Sequence, residues 1–191
     1  MAVAWAAATQ LVRGEPAARL LISICGGHSE VRGLLTLQVL ADPQWRAAVL
    51  DQTQVVALPS VGGSSKEYES MAVEHVVKSM PGMSRLDPAD LRLPKVRSAP
   101  DGLLRDARSG RVVVIEAKDR SVDFEEGASQ LFQYAAQARW SLRCPAEKLQ
   151  SVLVTSDVDA ERKLDQWRAL VRAPSPAAIL VPAECAKHLR T

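Results

Sequence analysis

Cysteine is scarce and scattered. Cys25, Cys144 and Cys185 are odd in number and share no C-x-x-C spacing, which argues against a disulfide framework and against a structural zinc site. An intracellular, reducing compartment (cytoplasm or nucleus) is therefore expected. Histidine is equally sparse: His28, His75 and His188 stand far apart and are expected to be structural or solvated rather than ligands. No apolar run approaches the ~18 residues of a membrane-spanning helix, so the chain is expected to be soluble, with no membrane partner. There is also no surplus of charge. With 24 Lys and Arg against 22 Asp and Glu the formal net charge is +2, so attraction to a polyanion has to come from a local patch and not from the field of the whole molecule. The glycine doublet Gly26-Gly27 is not followed by the Lys-Ser or Lys-Thr of a phosphate-binding loop and reads as a turn.

What is present suffices for a core: 191 residues, 47% of them hydrophobic, fit one domain with a small appendage. Met1–Gly14 is Ala-rich, lacks acidic residues and carries one cation, Arg13. It is expected to be a helix, with an organelle-targeting segment as the alternative. Leu20–Ile24 suggests a short strand, Ser29–Val39 a helix capped by Ser29, and Asp42-Pro43 the start of a second helix through Trp45, Ala48 and Val49. Residues 1–58 thus form an N-terminal α/β appendage of unassigned role. Its aliphatic surface could pack on the rest of the chain, or serve a homodimer or a protein partner. The run Leu58–Ser65 (LPSVGGSS) is the clearest linker, and the main domain is expected over 65–191.

Within that domain Lys66 to about Met80 is expected to be helical, capped by Ser64 or Ser65 and stopped by Pro81-Gly82. At 100° per residue Glu69 shares the apolar face with Val73, Val76 and Met80, whereas Glu67, Glu74 and Lys78 fall on the opposite face. Leu91–Arg97, interrupted by Pro94, suggests an edge strand. A helix follows over Asp123 to about Leu142, with Phe124, Leu131, Tyr134, Ala135, Ala138 and Leu142 as its buried stripe. Val152–Val154 is the next strand, Asp159–Val171 a helix and Ile179–Val181 a last strand. The alternation implies a mixed α/β sheet with helices on both faces.

The informative stretch is Pro100–Tyr134. Leu103-Leu104 and Val112–Ile115 are aliphatic, partly β-branched runs flanking the turn Arg108-Ser109-Gly110, and they predict a hairpin. A two-residue turn centred on Ser109-Gly110 sets Asp101 opposite Lys118, with Glu116 as diagonal neighbour. Centring it one residue earlier sets Asp101 opposite Glu116. In both registers Asp101, Glu116 and Lys118 share one face, because side chains alternate along a strand; a three-residue loop without a bulge would separate them. Two carboxylates close together repel, and burial makes the conflict worse. A hard cation that prefers oxygen, Mg²⁺ or Mn²⁺, resolves it, and the lysine then serves as a separate positive group near a water or a phosphate. A solvated Glu116–Lys118 pair on a surface hairpin is the alternative. Lys95, Arg97, Arg105, Arg108 and Arg111 cluster around the hairpin, as phosphate contacts or as a solvated rim.

Pro100-Asp101, then Glu116-Ala117-Lys118 after a hairpin-length gap, resembles the PD-(D/E)XK motif of the restriction-endonuclease-like nucleases. Gln130 and Tyr134 resemble the QxxxY helix motif of the RecB-like branch. The likeness spans about residues 65–157 and rests on the order and spacing of the motifs together; the unclustered cysteines depart from the iron–sulfur members of that branch. The resemblance implies an αβββαβ core and a metal-dependent phosphodiesterase acting on nucleic acid, DNA before RNA. It further implies that Asp101, Glu116, Glu69 and the Ala117 carbonyl hold Mg²⁺ or Mn²⁺, and that Lys118 orients or activates water. Gln130 and Tyr134 would support the site or touch the nucleic-acid backbone. A catalytically silent module that keeps the fold and binds nucleic acid, or serves a larger assembly, is the competing reading.

Overall fold

The computed structural model describes residues 39, 42–92, 98–119 and 124–172. Helix α1 (Pro43–Gln52) begins where expected: the Asp42 carboxylate accepts from the Gln44 and Trp45 amides, and proline occupies the first turn, where its missing N–H costs nothing. Then come β1 (Thr53–Ala57), α2 (Ser65–Ser79), β2 (Ser84–Arg85), a 3-10 turn (Pro88–Leu91), β3 (Gly102–Arg105) and β4 (Val112–Lys118). They are followed by α3 (Phe124–Ser141), a second 3-10 turn (Ala146–Lys148), β5 (Leu149–Thr155) and α4 (Ala160–Arg172). The five strands form one mixed sheet in the order β1-β5-β4-β3-β2. β1, β5 and β4 run parallel, and β4-β3-β2 is an antiparallel meander. Among the described residues no helix is long and apolar enough to cross a membrane.

Period two along β4 splits its side chains between two cores. Val113, Ile115 and Ala117 meet Tyr68, Ala72 and Val76 of α2, while Val112 and Val114 meet Phe124, Leu131, Tyr134, Ala135 and Ala138 of α3. Covered on both faces, β4 and β5 carry the unbroken apolar runs Val112–Ile115 and Val152–Val154. Helix α2 starts with a reciprocal cap: Ser64 accepts from the Glu67 amide, and the Glu67 carboxylate accepts from the Ser64 amide at 2.7 Å.

Three expectations change. The buried stripe of α2 is centred on Tyr68, Ala72 and Val76, with Val73 and Met80 at its margin. Tyr68 takes the centre because its ring offers the largest apolar area and its hydroxyl still reaches the Leu58 carbonyl at 3.2 Å. The strand expected over Leu91–Arg97 is replaced at its start: Leu91 ends a 3-10 turn begun by Asp87, and residues 93–97 lie outside the described residues. The partner of β3 is instead the two-residue β2, delivered by the Pro81-Gly82 turn, where Gly82 has φ +89°. Finally, Thr53–Ala57, set apart from the main domain by the sequence reading, is hydrogen-bonded along β5 as an edge strand of the same sheet. The strands expected at 20–24 and 179–181, the segment 1–14 and, apart from Val39, the helix at 29–39 lie outside the described residues.

Gly127 lets α3 approach the sheet. A Cβ there would stand 2.8 Å from Leu153 Cδ1 and 3.0 Å from Lys118 Cγ. Gly127→Ala is therefore expected to destabilise by about 1–2 kcal/mol in urea denaturation, the overpacking cost exceeding the ~1 kcal/mol gain in helix propensity. A more stable variant would mean that α3 does not lie this close.

Candidate active site

The β3–β4 turn decides which side chains meet. Its loop is four residues, Ala107–Gly110, one longer than the turn read from the sequence, because Asp106 closes it from both its backbone and its side chain. The Asp106 amide donates to the Arg111 carbonyl at 2.9 Å and the Gly110 amide donates to the Asp106 carbonyl at 2.8 Å. The Asp106 carboxylate accepts from the Arg108 amide (2.8 Å) and the Ser109 hydroxyl (2.6 Å), and Gly110 supplies the required φ of +73°. This closure pairs Gly102 with Ile115. Continued by one residue, it sets Asp101 opposite Glu116, the second of the two registers compatible with the sequence.

Asp101 does not extend the backbone ladder; its carboxylate takes over the next donor, accepting from the Ala117 amide at 2.7 Å. Glu116 is 3% exposed. One oxygen, Oε1, accepts from the Lys118 ammonium at 2.8 Å, and the other, Oε2, is buried without a hydrogen-bond partner. Burial, then the charge of Asp101, push the Glu116 carboxyl up to about 8, against the opposing effects of Lys118 and Tyr134. Burial also raises Asp101, to about 6; the Ala117 amide opposes this and the Glu69 charge adds to it. For Lys118 burial favours the neutral amine, but Glu116, Glu126 and Asp101 outweigh it and the ammonium form is held.

Helix α3 braces the chain that delivers Asp101. The Tyr134 hydroxyl donates to the Ala99 carbonyl at 3.1 Å and also lies within hydrogen-bonding reach of Glu116. One turn on, the Gln137 amide group donates to the Ser98 carbonyl at 3.2 Å, and that of Gln133 bonds the Ser98 hydroxyl and Gln137 Oε1. Gln133 and Gln137 are 2% and 0% exposed, so these bonds are made out of water, where an unmade one is costly. Sequence reasoning missed both glutamines. Their signal was two amides four residues apart inside an otherwise aliphatic and aromatic stripe.

Other expected residues sit differently. Glu69 is half-buried on α2 while Glu67 and Glu74 are exposed, and its charge is felt by Asp101. Yet among the described residues no three His, Cys, Asp or Glu side chains form a group able to hold a metal ion, so the donor set here is the Asp101–Glu116 pair. Gln130 donates to Glu126 at 3.3 Å, and its own carbonyl oxygen is buried and unmatched. Arg105, Arg108 and Arg111 lie at the opposite end of the hairpin; Arg105 and Arg111 are four to five residues along β4 from Glu116, or roughly 13–17 Å at ~3.3 Å per residue, and Arg108 is farther out in the loop. Lys95 and Arg97 lie outside the described residues.

Three side-chain oxygens are buried without a donor among the described residues: Glu116 Oε2, Asp119 Oδ1 and Gln130 Oε1. All stand at the end of β4 or in the first half of α3. Of these, Glu116 Oε2, unmatched with the Asp101 carboxylate nearby, suits a hard, oxygen-seeking cation. Asp119, near Tyr68 of α2, accepts from the Ser60 hydroxyl at 3.2 Å and ties the end of β4 to the β1–α2 loop. Compared with known protein families, curated proteins and solved structures, the chain matches none.

The raised Glu116 pKa has a thermodynamic consequence without metal. A carboxyl whose folded pKa (about 8) exceeds its ordinary 4.5 stabilises the fold below about pH 4.5 and loses that contribution as pH rises through 8. With chelator present, Glu116→Gln should gain stability over the parent by more than ~1 kcal/mol as pH goes from about 5 to about 8. Urea denaturation at both pH values checks this; an unchanged difference would contradict the buried carboxyl.

Proposed function

We propose that the chain is a metal-dependent nuclease of the PD-(D/E)XK kind, hydrolysing phosphodiester bonds of nucleic acid, DNA before RNA. The observation that carries this reading is Glu116: a carboxylate buried on the central strand, set against Asp101, with one oxygen unmatched. A stable fold gains nothing from such a group, but a cation site needs it. Further support is the element order α2-β2-β3-β4-α3-β5, which follows the αβββαβ order implied by the motifs, and the placing of Tyr134 against the same carboxylate.

Asp101, Glu116 and the Ala117 carbonyl would hold Mg²⁺ or Mn²⁺, which would supply Lewis-acid stabilisation of charge at the phosphate and make a water more acidic. The protein's own residues do the rest. Ala117 N–H fixes the Asp101 carboxylate at the hairpin edge. Lys118 keeps a positive charge beside Glu116, where it offsets charge developing on the phosphate and orients water. Tyr134, Gln133 and Gln137 keep the approach to Asp101 from shifting. Protons compete for both carboxyls, so metal affinity should rise with pH.

Two observations favour the silent module: the Lys118 ammonium is already engaged by Glu116, and the donor set has two carboxylates rather than three. Cleavage of labelled single- and double-stranded DNA and RNA with Mg²⁺ or Mn²⁺ separates the readings. The nuclease should cut only with cation. Glu116→Gln should abolish cutting and calorimetric Mn²⁺ binding together, and Lys118→Ala should lower the single-turnover rate ~10²-fold or more while retaining Mn²⁺. No cutting by the parent protein with either cation would leave the binding module.

A further inference from the structure

The two ends of helix α3 carry different chemistry. Its first turns lie against Lys118, as the Gly127 contact requires, and its last turn lies at the β3–β4 turn and the loop before β5. At that far end four cations gather: Arg105 and Arg108 of the hairpin, Arg143 just past α3, and Lys148. None of the four forms a direct ion pair among the described residues.

Their proximity follows from independent contacts. A Cβ on Gly110 would stand 3.6 Å from the Lys148 ammonium, which therefore overhangs the hairpin turn. Arg105 and Lys148 both act on the Cys144 thiol, whose pKa burial pushes up to about 11. Arg111 bonds Gln150, which pairs with Val113 on the α2 face of the sheet, and stands apart from this group. Two acids stand among the four cations, Asp106 facing Arg108 and Glu147 beside Lys148, which leaves an excess of two positive charges. Arg143 and Glu147 line a cavity of about 450 Å³ between α1 and the end of α3, together with Arg139, Gln44 and Trp45. Arg143 holds φ +49°, the only positive φ on a non-glycine among the described residues. That left-handed conformation just past α3 is one that glycine adopts more readily.

We infer that this end of the molecule is a second, phosphate-binding surface that grips the nucleic-acid backbone away from the Asp101–Glu116 site. It deepens the nuclease reading and rests on that reading only for where the scissile phosphate lies. A net excess of cations beside a concave, polar-lined surface suits a polyanion of repeating phosphates. The separation from Glu116, roughly 13–17 Å along β4, equals about four to five nucleotides at ~3.4 Å per nucleotide of one strand. The surface would thus hold the chain several nucleotides from the bond cut and secure register without touching the reacting phosphate.

The test uses the full chain, chelator, a fluorescein-labelled DNA duplex of about 20 base pairs and a salt series read by anisotropy. Neutralising Arg108, Arg143 and Lys148 together (Arg108→Gln, Arg143→Gln, Lys148→Gln) should weaken binding at least ~10-fold and reduce the slope of log K against log salt by about 2–3. Neutralising Lys66 and Lys78 on α2 should change neither. With Mg²⁺ the triple variant should show a raised KM, and the parent should lose affinity for substrates with fewer than about four nucleotides beyond the cut. An unchanged salt slope in the triple variant overturns the inference, even if the parent cuts DNA. Equal loss on α2 neutralisation, or binding to phosphatidylserine vesicles or an acidic peptide in preference to the duplex, overturns it as well. If the parent binds the duplex in this way but never cuts, the surface stands and the nuclease reading falls.

Discussion

Glu116 cannot lie comfortably where its strand puts it. Register and the period-two alternation of β4 direct its side chain beneath α3, out of water and opposite Asp101, and two like charges in a poorly polarisable place each disfavour the other's ionised form. The surrounding residues answer that constraint. Lys118, two residues on and so on the same face, neutralises one oxygen; the Ala117 amide draws the Asp101 carboxylate to the hairpin edge; and Tyr134 adds a hydroxyl. One Glu116 oxygen remains unmatched after all of these. The imbalance is what makes the pair a functional candidate rather than a structural ion pair, since a buried ion pair alone contributes little net stability.

The scaffold makes that imbalance sustainable. β4 is held by β5 on one side and β3 on the other, so Glu116 cannot relieve itself by a shift of strand register without exposing the apolar rows on both faces. The cores formed by α2 and α3 are independent of the carboxylate pair, and apolar burial at ~25 cal/mol per Å² can offset a local electrostatic cost. The Gln133–Gln137–Tyr134 bonds to residues 98–99 fix the entering chain at the point where a small slip would separate Asp101 from Glu116.

What was legible in the sequence divides along physical lines. The doubly covered strands were plain as aliphatic runs at Val112–Ile115 and Val152–Val154, and the caps at Asp42 and Ser64 marked their helices because capping is a local interaction. The shared face of Asp101, Glu116 and Lys118 needed only alternation. The choice between two registers could not be made locally, because it depended on Asp106 closing a four-residue loop with both backbone and side chain. The parallel pairing of β1 with β5 joins residues about a hundred positions apart and leaves no short-range trace. Likewise the phase of α2 was set by Tyr68, which a pattern of small aliphatics underweights, and the buried glutamines of α3 resembled an ordinary polar interruption until their partners at Ser98 were in view.

Anomalous diffraction from crystals soaked in Mn²⁺ tests the central claim most directly. If the unmatched oxygen of Glu116 belongs to a cation site, a single strong peak should bridge the Asp101 and Glu116 carboxylates and vanish in Glu116→Gln. No peak at that pair in the parent protein, with Lys118 still bound to Glu116, would contradict the account.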